Sequence, residues 1–344
     1  MSRNKVIQST DTDALLSKLS ASSAGYISDP LLGLFRPHNI EVPHKLPLLN
    51  RGTYARVIGV SKLLDAVLAV SDKVQIVSLG AGSDTRPFYL LKKYPQLVYH
   101  ELDFAISARH KAALIRQHDQ LSSAIRNPEY DVATTSVTRR MRGLPDSSSS
   151  SSGGVETTIK SDNYFLHGVD LRQLSSPAAV CALPGIDATL PTVVISECCL
   201  CYLEPTESDA VVASVCRAFA SSGIISYEPF ASDDQFGKVM VHNLASRGIS
   251  IPTMMAYPTL QAQVARFKNL GFGVAAGADL RFVHDRWVDE TEMARIDSLE
   301  MMDEREEFEL LSAHYGIYWA ATVGRDTGFG HPFEGWNVFA RQVK

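Results

Sequence analysis

At 344 residues, 45% of them hydrophobic, the chain is long enough to bury one large α/β core or two ordinary ones. Its formal charge of −5 and pI near 6.1 exclude a basic footprint that would draw the whole protein to nucleic acid or acidic lipid. Apolar runs fall short of the roughly 18 to 20 residues a membrane span requires, the longest candidate lying around TVVISECCLCYL. The polar start MSRNKVIQSTDTDALLSK has no secretory apolar region, so a cytoplasmic protein is expected. Cys181, Cys198, Cys199, Cys201 and Cys216 are odd in number and clustered, which suits reduced thiols better than a disulfide framework.

Before residue 50 the sequence is irregular, and SDPLLGLFRPHNIEVPHKLPLLNRG sets four prolines among apolar residues. Residues 1–53 read as an N-terminal lid or wrap on a core. From 54 to 70, Val57, Ile58, Leu64, Val67 and Leu68 recur at helical spacing, giving a helix with one buried stripe that leads into VQIVSLGAG. VQIVSL and LVYHELD read as strands, and residues 85–93 and 104–118 as the helices that follow them. Strand and helix alternating at this pitch predict βαβ units and a doubly wound, mostly parallel sheet.

The run RRMRGLPDSSSSSSGG, with six consecutive serines, predicts a flexible surface loop over 139–154, because strand-like sequence resumes at NYFLHGVDLR. TVVISE and GIISYEP then read as strands on either side of a helix opening at TESD. Helical spacing in QFGKVMVHNLASRG and TLQAQVARFKNLGF ends at Gly248 and Gly271, so 229–270 carries inserted helices expected on the substrate side. DETEMARIDSLEMMDEREEFELLSAHYG predicts one long acidic helix with a solvated face, and IYWAATVG with GWNVFARQV a closing antiparallel pair. The whole chain is expected to form a single domain.

Gly80 and Gly82 directly after a strand let the backbone turn sharply and approach a ligand. Twenty-one residues beyond Gly82, Asp103 ends the next strand, where an acid can take both hydroxyls of a ribose. Glu101 is expected on the other side of that strand, which favours Asp103. A dinucleotide turn wants a third glycine, but Thr85 stands there after Asp84. A negative side chain beside the turn is awkward for pyrophosphate and tolerable for a sulfonium cofactor with an amino group, which tilts the reading toward S-adenosylmethionine. A plain tight turn remains open on this motif alone. Asp170 and Glu197 end further strands, so Gly80, Asp103, Asp170 and Glu197 are expected to rim one crevice. CCLC lacks a second Cys or His pair at zinc spacing, and buried thiols are expected rather than a metal site.

NRGTYARV, QIVSLGAGSDTR, HELDF, GVDLR, ISECCLCYL, YEPFASDDQFGKVM, RIDSLEMMDEREE and HYGIYWA, in that order, resemble the leucine carboxyl methyltransferases, from about Leu15 to Ala321. The resemblance implies a Rossmann-like S-adenosylmethionine-dependent methyltransferase with an N-terminal helical lid. It implies methylation of the C-terminal leucine carboxylate of the protein phosphatase 2A catalytic subunit, a modification that regulates phosphatase holoenzyme assembly. Carried over by position, it places Gly80 and Glu197 at the methionyl part of the cofactor, Asp103 at the ribose, and Asp170 with Leu171 at the adenine. Arg56 and Lys18 match an arginine and a lysine that contact the cofactor, and Tyr202 a tyrosine near the transfer site. Tyr202 and Arg56 are the residues expected to serve the transfer itself. LSKLSASSA around Lys18 and the serine run depart from the family pattern. A monomer without nucleic-acid or membrane partners is expected. Three other readings stay open at this point: a relative with a tRNA or small-molecule acceptor, a nicotinamide-dependent oxidoreductase on the same fold, and a non-catalytic cofactor-binding module.

Overall fold

The computed structural model describes residues 3–37, 40–131, 155–230, 234–322, 332–339 and 341–343. The serine run at 139–154 therefore lies outside the described residues. Nine strands form one sheet: β1 (Val74–Leu79), β2 (Leu97–Asp103), β3 (Glu129–Tyr130), β4 (Glu156–Lys160), β5 (Tyr164–Gly168), β6 (Thr192–Glu197), β7 (Ser222–Pro229), β8 (Val274–Asp279) and β9 (Tyr315–Ala321), in the order β3-β4-β5-β2-β1-β6-β7-β9-β8. The central run β5-β2-β1-β6-β7 is parallel. At the far edge β9 inserts antiparallel between β7 and β8, and at the other β4 runs antiparallel to β5 with the short β3 closing the edge beside it. This is the Rossmann-like, doubly wound arrangement that the alternation of strands and helices predicts.

Strand alternation sorts two cores onto the two faces. Val74 and Ile76 of β1 pack with Val60, Leu63 and Val67 of α2 (Pro47–Leu68) and Phe88 of α3 (Arg86–Lys93). Val77 and Leu79 pack with Val211, Val212 and Val215 of the 205–218 helix on the opposite face. β1 is buried at all six positions, as a central parallel strand covered on both faces must be.

One expectation is sharpened and three change. The helical lid that the family resemblance implies is a 21-residue helix, α1 (Arg3–Ser23), which the irregular composition of the first fifty residues does not by itself resolve. Its buried hydrophobic side chains are Leu15, Leu19 and Ala21, too sparse for a periodic signal, because its N-terminal half roofs a polar cleft. α2 begins seven residues before Tyr54, with Pro47 in its first turn. The acidic segment forms two helices, Glu290–Asp297 and Arg305–Ser312, with Ser298 capping the first. The closing pair is also different: β9 pairs with β7 and β8, while Pro332–Val338 forms a 3-10 turn whose Trp336 Nε1 donates to Leu63 O at 2.8 Å. Bulky Phe333 and Trp336 seat that turn against α2 and the sheet.

Candidate active site

The strand tips of β1, β2, β5 and β6 open into one cleft, roofed by α1 and enclosing about 1160 Å³ with its mouth. Lys18, Arg56, Gly80, Gly82, Asp103, Asp170, Leu171, Glu197 and Tyr202, all nine residues singled out in the sequence, line it. They come from six separate segments of the chain: parallel pairing gathers those at the strand ends, since it sets the carboxyl-terminal ends on the same edge of the sheet, while α1 and α2 bring in Lys18 and Arg56.

Gly80 and Gly82 turn the chain with φ of +65° and +46°, values that disfavour any Cβ. A Cβ on Gly80 would lie 2.5 Å from Cys199 Sγ, and one on Gly82 2.3 Å from Asp11 Oδ1. The missing side chains thus make room for protein as much as for a ligand: Cys199 behind the turn and α1 above it. Asp11 fixes the contact, accepting from Ser83 N and Ser83 Oγ at 2.8 Å each.

Asp103 accepts from Gly82 N at 2.7 Å through Oδ2 and from Phe104 N at 2.7 Å through Oδ1. Burial pushes its carboxyl up, although both backbone donors pull the other way. Glu101 corrects one expectation. Residues two apart share a strand face, so Glu101 and Asp103 point the same way; depth separates them. Glu101 is fully buried beneath α4 (Ala105–Gln117), bound to Lys111 Nζ at 2.8 Å and Tyr164 Oη at 2.5 Å.

Asp84 corrects another. It is no free negative charge beside the turn. Lys18 Nζ lies 3.3 Å from its Oδ1 and Arg86 Nη1 2.8 Å from its Oδ2, while Lys111 Nζ donates to its backbone carbonyl at 2.7 Å. Burial alone would raise the Asp84 carboxyl, but Arg86, Lys18 and Lys111 hold it well below the usual carboxylate range. The argument from Asp84 against a pyrophosphate therefore loses its force.

Arg86 continues the pattern, with Nη2 donating to Glu197 Oε1 at 2.7 Å, and Arg56 Nε donates to Glu197 Oε2 at 2.7 Å. Burial raises the Glu197 carboxyl, yet the Arg86 and Arg56 guanidiniums outweigh it and hold it at about 2. Lys18, Asp84, Arg86, Glu197 and Arg56 thus form a chain of alternating charge along one end of the cleft. The sequence reading missed Arg86. A signal was available: it opens α3, where the helix dipole disfavours a cation, so a local anion had to be near.

Asp170 lies at the other end of the cleft, holding Arg172 N at 3.1 Å and the Arg172 guanidinium, which keeps its carboxyl below the usual range. Tyr202 sits in the 3-10 turn Leu200–Tyr202, beneath α1 and against Met240, Val241, Leu244 and Met254. Helices Gln235–Ser246 and Pro252–Ala256 therefore pack in one cluster with the Tyr202 turn, whereas Leu260–Asn269 packs on the far sheet edge through Leu260, Val264 and Phe267. The turn is secured by Glu228, a second missed residue. Its buried carboxylate accepts from Cys199 N, Leu200 N and Cys201 N at 3.1 to 3.3 Å. Cys198 enters that turn at φ +49°, a strained value for a non-glycine residue, with its N–H on Tyr227 O at 2.7 Å.

A family model described as leucine carboxyl methyltransferase matches residues 3–216, which includes every residue lining the cleft. The chain belongs to the leucine carboxyl methyltransferase family. Leucine carboxyl methyltransferase 1 of Yarrowia lipolytica is 41% identical, covering 93% of this chain and 98% of its own. The protein of that name in Schizosaccharomyces pombe is 36% identical over 92% of this chain and 94% of its own. An Arabidopsis thaliana homologue is 35% identical over 97% and 95%. Similarity along almost the full length of both chains makes this protein a methyltransferase, and the nicotinamide oxidoreductase and non-catalytic readings are set aside. Among the described residues no helix is long and apolar enough to cross a membrane, and no cluster of three His, Cys, Asp or Glu side chains could hold a metal ion.

Proposed function

We propose that, within the family's methyl transfer to a leucine carboxyl, the donor is S-adenosylmethionine and the acceptor the C-terminal leucine α-carboxylate of the protein phosphatase 2A catalytic subunit, with the chain acting as one domain. The observation that carries the donor is the meeting, in one cleft, of an acid on a glycine turn and an alternating-charge chain that ends in Lys18 and Arg56. Asp103 keeps carboxylate lone pairs for ribose hydroxyls. Lys18 and Arg56 suit an α-carboxylate and Glu197 an α-ammonium, so the residues present fit the amino-acid arm. Asp170 and Leu171 stand at the position for the adenine.

Bound there, the cofactor supplies an electrophilic methyl on a sulfonium. The acceptor needs no general base, because a peptide α-carboxyl has a pKa of about 3.3 to 3.7 and is already ionised at neutral pH. The work left to the protein is desolvation and aim, where positioning can supply up to roughly 7 to 11 kcal/mol. Ile7, Thr10 and Ala14 of α1 roof the cleft against water. Arg56 is tied to Glu197 at the arm, which leaves Tyr202 beside the mouth as the group to aim the acceptor. Burial pushes its phenol well up, so it stays a hydrogen-bond donor.

Two expected results follow from these roles. Tyr202→Phe lowers kcat/KM for the tail peptide roughly 10-fold or more, the worth of one hydrogen bond to a charged group; unchanged turnover and peptide KM would remove its role. The acceptor carboxyl, titrating near 3.5, and Glu197, at about 2, give the kcat/KM profile no limb between about pH 5.5 and 8, and any limb from Glu101, pushed up to about 7 by burial, appears in cofactor binding as well. A limb near pH 6.5 in peptide kcat/KM that cofactor binding does not share would reveal a general base and overturn the base-free mechanism.

The acceptor is tested by mass spectrometry of type 2A phosphatase, intact and lacking its terminal leucine, after incubation with the enzyme and S-adenosylmethionine. A one-methyl gain confined to the intact tail is expected, and equal gains on both would sink the assignment.

A further inference from the structure

We propose that Arg86 is a positioning residue that makes the arm end of the cleft selective for a carboxylate, acting on the cofactor only through Asp84 and Glu197. This rests on reading the cleft as the S-adenosylmethionine site. Arg86 lines a second cavity, with Tyr26, Tyr54 and Tyr89, and does not line the cofactor cleft. Its side chain is nonetheless nearly enclosed, 11% exposed, and bridges two carboxylates that do line the cleft.

Charge is shared along this chain. Asp84 stands 2.8 Å from Arg86 and 3.3 Å from Lys18, so Arg86 holds it more closely. Glu197 gives one oxygen to Arg86 and the other to Arg56, both at 2.7 Å. With Arg86 in the middle, two anions are divided among three cations, and each terminal cation keeps unspent attraction for an incoming carboxylate. Without Arg86, Asp84 closes on Lys18 and Glu197 on Arg56, and both terminal cations are neutralised by the protein itself. Coulomb attraction in a poorly hydrated cleft is strong enough for that re-pairing to govern ligand choice. In the first helical turn Arg86 stands against the dipole, and these two anions are what hold it there.

Calorimetric binding to the purified full-length enzyme tests this with two ligands: S-adenosylhomocysteine, which carries the amino-acid arm, and 5′-methylthioadenosine, which has the nucleoside without it. Arg86→Gln is expected to weaken S-adenosylhomocysteine roughly 30-fold, as for loss of one partner of a buried charge pair, and to change methylthioadenosine less than about 2-fold. Arg86→Lys keeps a cation but cannot fork between two carboxylates, so a smaller loss, again confined to the arm-bearing ligand, is expected. Equal weakening of both ligands in both variants would make Arg86 merely structural, and unchanged S-adenosylhomocysteine affinity would remove its role altogether. A failure of the underlying reading looks different: wild-type enzyme would then bind S-adenosylhomocysteine no more tightly than methylthioadenosine.

Discussion

Glu197→Gln is expected to lower kcat/KM for methyl transfer by about 10²- to 10³-fold, the usual range when one member of a buried, hydrogen-bonded charge pair is removed. Both oxygens of Glu197 are engaged, one by Arg56 and one by Arg86, each at 2.7 Å. The amide keeps the shape but loses the charge, and its NH₂ group faces a guanidinium that cannot accept. Two guanidiniums would then confront each other with nothing negative between them. Because Glu197 is held at about 2, it stays ionised throughout any practical assay range, and lowering the pH cannot bring the wild type to resemble the variant. Steady-state kinetics with S-adenosylmethionine and an intact tail peptide, together with cofactor binding, measure the effect. The loss should appear in cofactor affinity as well as in turnover, and a change under 3-fold would show that Glu197 is dispensable at the arm. Thermal unfolding in parallel keeps folding separate from function.

The second large effect concerns stability. Lys111→Met is expected to cost about 3 to 5 kcal/mol, the penalty for leaving one member of a buried ion pair without its partner. Lys111 Nζ binds Glu101 at 2.8 Å and the Asp84 carbonyl at 2.7 Å, and the side chains of Lys111 and Glu101 are 4% and 0% exposed. The variant leaves Glu101 buried with only the Tyr164 hydroxyl to compensate it. At roughly 2 to 4 °C per kcal/mol for a large domain, Tm should fall by about 10 °C. Lys111→Met combined with Glu101→Leu should be more stable than Lys111→Met alone, since an apolar pair replaces the stranded charge. Calorimetry on both variants decides it. An unchanged Tm for Lys111→Met would mean that the carboxyl is satisfied without the ammonium.

These two residues also mark where sequence reasoning stopped. Asp103 was legible because its place follows from local rules: a strand of apolar and β-branched residues, an acid at its end, a glycine turn one strand earlier. Its hydrogen bond to Gly82 N spans 21 residues within a single βαβ unit. Arg86 and Glu197 are 111 residues apart, and no spacing rule joins them. The two-residue period sets Glu101 on the same face as Asp103, not the opposite one, and only its depth beneath α4 keeps it out of the cleft. From the sequence Asp84 is only a negative side chain beside the turn, because its cationic partners, Lys18 on α1, Arg86 opening α3 and Lys111 on α4, are placed around it by the fold.

The chain by itself determined the alternation of strands and helices, the glycine turn, the acids at the strand tips and, through eight ordered blocks, the family. Each of these is encoded in neighbours or in short periodic spacing, where backbone sterics and burial act directly. Only the tertiary structure decided that α1 roofs the cleft through Asp11 and Ser83, that Glu228 holds the turn bearing Tyr202, and that Arg86 divides two carboxylates among three cations. Those features are electrostatic and distant in sequence. A charged side chain takes its state from whatever the fold places within a few ångströms of it, so its role stays undefined until the sheet has brought the strand ends together.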